Sequence, residues 1–132
     1  MTQVKPHFSF WIAVTLGLAW NLMGCLNFIA QTDAETVLQM PETYQLIINS
    51  RPAWATGGFA VGVFGGAVGC ILLLLRRRVA LVVLGVSLLG VIAVSAFTLM
   101  LLGMPISMMF SLAVATALFW YATIAQRSDW LR

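Results

Sequence analysis

Two cysteines, one histidine and four carboxylates are the side chains in this 132-residue chain that could ligate a metal or pair as nucleophile and base. Cys25 and Cys70 lie in different apolar stretches, and His7 stands alone near the start. A metal centre needs three or four such ligands converging, and an activated nucleophile needs a base within reach. Neither pattern occurs, so the sequence implies no catalytic residue, no metal ligand and no cofactor, and a non-enzymatic protein is expected. Asp33, Glu35 and Glu42 fall close together. Their positions suit the first turns of short helices, where a carboxylate meets the positive end of the helix dipole. They are read as helix-start charges and not as a cation site.

The remaining polar residues of interest are Asn21, inside an apolar stretch, and the triplet Arg76, Arg77, Arg78. An amide in hydrocarbon needs a partner, so Asn21 is expected to bond a neighbouring helix or to touch a solute. The triplet suits a topology signal in contact with anionic lipid headgroups.

The elements that position these residues follow from composition. Charged residues make up 8% and apolar residues 61%. A soluble domain carries about 25% charged residues, so this chain cannot cover a water-facing surface. Four apolar blocks run at about 8–30, 53–75, 79–102 and 105–126, none containing a charged residue or histidine. At about 1.5 Å per residue each spans a hydrocarbon core of about 30 Å. Lipid offers the backbone no hydrogen bonds, which requires helices. The expected fold is all-α: an integral membrane four-helix bundle, up-down-up-down, in one domain. The first block is too long for a signal-peptide core and is read as a retained helix. The net charge of +3 sits at block ends and not on a basic helix, so nucleic acid is rejected as a partner.

Four spans put Lys5, the Arg triplet, Arg127 and Arg132 on one side, and only Arg51 on the other. With the acids included, the two sides carry +5 and −2. The positive-inside rule then predicts cytoplasmic N- and C-termini. Trp11, Trp120, Tyr121 and Trp130 would lie near the inner surface and Trp54 near the outer one.

The second and third connections are short and force antiparallel neighbours, with Gly103 as a C-cap and Pro105 at the next N1. The first connection, 31–52, is long. Thr32-Asp33-Ala34-Glu35 reads as a capping box with Thr32 as N-cap, and Pro41 suits N1 of a further helix. One or two short surface helices are expected there.

Small residues mark the packing faces. Ala55, Gly58, Gly62, Gly65, Gly66 and Gly69 share an arc of about 100° in the second block, including two consecutive GxxxG steps. Ala13, Gly17, Asn21 and Gly24 share an arc in the first, and Ser107, Ser111, Ala115, Ala122 and Ala125 in the fourth. In the third, Gly85, Ala93 and Ala96 lie on one side, and Ala80, Ser87, Gly90 and Thr98 on another. These stripes pack within one bundle, face a partner or line a solute path; the sequence leaves all three open.

Trp20-Asn21-Leu22-Met23-Gly24, Pro52-Ala53-Trp54-Ala55, Val63-Phe64-Gly65-Gly66 with Gly69, and the Leu-rich run ending in Arg76-Arg77 resemble a family of small four-helix bacterial inner-membrane proteins. Its members are labelled sugar transporters or uncharacterised, so the resemblance implies a carrier of small solutes such as sugars, with no assigned site residue. The residues themselves favour a non-catalytic accessory protein that packs against a second copy or a larger membrane complex. A dry bundle fits the accessory reading; a polar cavity near Asn21 fits the transporter.

Overall fold

The computed structural model describes residues 8–103 and 106–131. Six helices follow one another: α1 (Phe8–Ala30), α2 (Ala34–Leu38), α3 (Glu42–Ser50), α4 (Ala53–Leu74), α5 (Val79–Leu102) and α6 (Ile106–Arg127), with no strand among the described residues. The four long ones are apolar enough to cross a membrane, and they form an antiparallel bundle. α4 closes one residue before the expected end, and α6 is shifted one residue forward. Lys5, His7, Met104, Pro105 and Arg132 lie outside the described residues, and so does the side chain of Ser107.

The α4–α5 pair is the tightest in the bundle. It is built on glycine. A Cβ added at Gly58 would stand 2.9 Å from the Gly90 carbonyl oxygen, and one at Gly90 would stand 2.8 Å from the Gly62 nitrogen. Only hydrogen at these positions lets the two backbones meet. The Ser87 hydroxyl then donates to the Gly62 carbonyl at 2.6 Å, a bond between helices in a buried site. Of the two candidate faces of α5, the one with Ala80, Ser87, Gly90 and Thr98 is buried, while Gly85 on the other side lies near the Phe119 ring of α6. α5 therefore packs on two neighbours, but the second set is not one stripe: Ala93 stands near Gly58 of α4 and Ala96 is exposed. On α4 the opposite face of Val61, Phe64, Val68 and Ile71 is exposed to lipid.

α4 ends in a Schellman turn. Arg77 N–H donates to Leu72 O at 2.9 Å and Arg76 N–H to Leu73 O at 2.8 Å, with Arg76 at φ 58°. α6 ends in the same way, with Trp130 N–H to Ala125 O at 2.9 Å, Asp129 N–H to Gln126 O at 3.2 Å and Asp129 at φ 58°. Both turns put a non-glycine residue where glycine is usual. Gly103, at φ 86°, caps α5.

The loop between α1 and α4 departs from the expected capping. Asp33, not Thr32, is the N-cap of α2. The Thr32 hydroxyl donates back to Ile29 O at 2.6 Å, closing α1, and Thr36 donates to the Asp33 carboxylate at 2.6 Å. Thr32 sits one turn from open carbonyls of α1, and those acceptors outcompete the amides ahead of it. Glu35 thus has no capping-box partner. Pro41 is the N-cap of α3, one position before the expected N1. Gln45 Nε2 donates to Met40 O at 2.8 Å and braces the bend between α2 and α3.

Candidate functional site

The two halves of the bundle are packed differently. At the end that carries the α4–α5 turn, here the arginine end, Phe10, Val14, Cys70, Leu73, Ala80, Leu84, Leu118, Ala122, Ala125 and Leu131 form one buried cluster. Phe10 meets Trp130 edge-on at 5.7 Å between centroids and Tyr121 at 6.0 Å. Tyr121 and Ser9 share a hydrogen bond of 3.1 Å between α6 and α1. The residues after α6 fold back into this cluster, and Leu131 is 2% exposed.

The other half, the loop end, holds a cavity of about 420 Å³. Its lining on α1 runs from Trp20 to Asn27, with Gln31 just past that helix, on α4 from Phe59 to Val63, on α5 from Val91 to Thr98 and on α6 from Met108 to Ala115. All four segments belong to the loop half of their helices. Met40, Pro41, Tyr44, Ile47 and Ile48 form a further wall from the loop, and Arg51 lines it beside α4. The volume lies within the range of small-molecule sites, about 300–1,000 Å³. α1 and α6 meet mainly through long side chains, such as Trp20 and Phe110 at 6.2 Å. Between them the bundle is open enough to leave space, and Ser111 and Ala115 do not fill it. Ala122 and Ala125, on the same stripe of α6, are fully buried.

Asn21 is 9% exposed and lines the cavity. Its amide nitrogen donates to Gly17 O at 2.8 Å within α1. The expected bond to a neighbouring helix is replaced by this bond one turn back. Across the helix interface the amide lies against Gly66 of α4, where a methyl would overlap Asn21 Oδ1.

The remaining sequence-selected residues divide as follows. Gly58, Gly62, Gly65 and Gly69 lie against Gly90, Val91, Ser87 and Leu84 of α5. Gly24 lies against Val63 of α4, and Gly17 against Leu118 of α6. Arg76 and Arg78 turn to the chain end: Arg76 Nε donates to Trp130 O at 2.8 Å and Arg78 Nε to Leu131 O at 3.4 Å. Arg77 is exposed. Cys25 and Cys70 are free thiols, both buried. Among the described residues, no three His, Cys, Asp or Glu come together as a metal site.

Sequence reasoning did not select Arg51, Gln31 or Phe59. Arg51 Nη2 donates to Gln31 Oε1 at 2.6 Å, tying the two ends of the loop. Its guanidinium lies 5.0 Å from the Phe59 ring centroid, a cation–π distance. Burial pulls its pKa below the usual arginine value, because the charged form loses water. The available signal was charge placement: Arg51 is the one cation on the side that the positive-inside rule leaves poor in cations.

No protein-family model, curated protein or solved structure matches this chain.

Proposed function

We propose that this chain is a small-solute carrier or facilitator, holding its solute in the cavity between Asn21 and the α2–α3 loop. One observation carries the reading: the loop half is hollow between all four long helices, with polar groups at Asn21, Asn27, Gln31 and Arg51 in its lining, whereas the centre of the arginine half is filled by the cluster around Phe10 and Leu73. Such asymmetry suits a site reached from one face of the membrane. The accessory reading has less to stand on, because Gly58, Gly62, Gly65, Gly66 and Gly69 already meet α5 or α1. The excess of Lys and Arg supports a cytoplasmic arginine end in a bacterial inner membrane, with Arg77 near anionic headgroups.

The test is a single cysteine at Ser111, with Cys25 and Cys70 replaced by alanine. A membrane-impermeant anionic thiol reagent added on the loop side modifies Ser111→Cys if the cavity takes aqueous solutes. Lack of reaction in the folded protein overturns the reading.

A further inference from the structure

The chemistry of the cavity wall narrows the class of solute. Among the described residues, Arg51 is the only charged one in the lining. The three acids of the loop, Asp33, Glu35 and Glu42, are exposed and outside it. A guanidinium has five N–H donors. Gln31 takes one of them. Arg51 Nε is buried and has no hydrogen-bond partner among the described residues. Phe59 covers a face of the group, which leaves its edge for an acceptor. A carboxylate or phosphate suits a guanidinium, with two parallel hydrogen bonds, and neutralises a half-buried cation.

Away from Arg51 the wall is largely apolar, with Met23, Val63, Val91, Val94 and Val114. A sugar would bring many hydroxyls into this space, each needing a partner. An apolar body needs none. From Gln31, the partner of Arg51, to Asn21 is ten residues of α1, about 15 Å of depth.

We propose that the cavity binds an organic monoanion with an apolar body, its acidic head on Arg51 and its body directed toward Asn21. The inference rests on the solute-cavity reading. Two sources of such an acid are open to it. One is the water on the loop side, past α3. The other is the bilayer, through the seam between α1 and α6. A second cavity of about 350 Å³ lies on that seam, and Trp20 and Val114 line both.

The test uses the full chain in phosphatidylcholine nanodiscs, with decanoate, 1-decanol and decyltrimethylammonium as probes of one tail length and three charges. Apparent affinity is read from the rise in thermal unfolding temperature with probe concentration. Decanoate is expected to bind about ten- to a hundredfold more tightly than decanol, the range of one hydrogen-bonded charge pair. Arg51→Gln removes that preference and Arg51→Lys keeps part of it. The comparison of probes on the unmodified protein stands even if Arg51→Gln does not fold. Equal affinity for decanoate and decanol overturns the anion inference but leaves the cavity reading intact. Binding of none of the three probes, with Ser111→Cys unreactive, removes both. Doping the discs with phosphatidic acid locates the source. Loss of apparent decanoate affinity marks a membrane acid, and unchanged affinity marks an aqueous one; each supports the proposal only together with the Arg51 dependence.

Discussion

Arg76 Nε donates to the carbonyl oxygen of Trp130 at 2.8 Å, joining the Schellman turn of α4 to that of α6 across 54 residues of sequence. Arg76 supplies both halves of this junction. Its backbone takes the left-handed conformation at φ 58°, and its side chain holds the returning chain end. The two roles pull in opposite directions on substitution. Arg76→Ala keeps the left-handed strain and loses the tether. Arg76→Gly also loses the tether but relieves strain of about 1 kcal/mol. Both variants should be less stable than the parent in mild detergent, with Arg76→Gly ahead of Arg76→Ala by about 1 kcal/mol. Unfolding monitored by tryptophan fluorescence measures the difference. Equal stabilities would mean that the turn carries no strain.

The contact between α4 and α5 can be separated from helix propensity with two alanine substitutions. Gly57 has nothing within 4 Å of an added Cβ, whereas a Cβ at Gly90 would stand 2.6 Å from Gly58 O and 2.8 Å from Gly62 N. Both changes gain about 1 kcal/mol of helix propensity. Gly57→Ala should therefore be neutral or stabilising. Gly90→Ala meets backbone atoms that cannot rotate away, so the helices must part and the Ser87–Gly62 bond must lengthen. Gly90→Ala is expected to lower stability by about 1–3 kcal/mol, the usual range for overpacking. The same unfolding assay checks it, with the larger Gly62→Leu and the lipid-facing Val61→Leu as a second pair.

Much of this architecture was legible from charge and periodicity. Spans free of ionisable residues can only be helices in lipid, and the recurrence of Gly58, Gly62 and Gly66 marks a face for close approach without saying what approaches it. What was not legible depends on how far apart helices stand. Ala115 and Ala122 lie on one stripe of α6, yet Ala122 is buried against neighbours and Ala115 borders a cavity. A helical repeat gives direction and not distance, so it cannot separate the two. The Arg triplet was legible as charge. Its hydrogen bonds to Trp130 and Leu131 depend on where a distant chain end returns, which no local pattern records. Thr32 failed as an N-cap for a local reason, since two helix ends compete for its hydroxyl and the nearer carbonyl wins.

The orientation argument rests on six cations against one, and it is open to direct measurement. Glu35 and Arg77 are both exposed, at opposite ends of the bundle. A cysteine at Glu35 should react with an impermeant maleimide in intact cells, and a cysteine at Arg77 only after lysis. The reverse pattern would place the arginine end outside and overturn the charge argument.

The closed arginine end contains its own reporter. Cys70 is fully buried and belongs to the same cluster as Phe10, Leu73 and Leu131. In the parent protein it should resist an aqueous thiol reagent offered at either face. Leu131 is the last described residue and reaches this cluster through the turn that ends α6, with Arg76 and Arg78 holding the backbone of Trp130 and Leu131. Leu131→Ala removes most of a buried side chain; in a core this costs about 2–5 kcal/mol, and less where a chain end can relax. The local consequence is a path for water to Cys70. Mass spectrometry should find Cys70 modified in Leu131→Ala under conditions that spare the parent, with Cys25, in the other half of the bundle, reacting equally in both. If the two cysteines gain reactivity together, the variant is unfolding as a whole. If neither changes, the chain end is not what closes this half of the bundle.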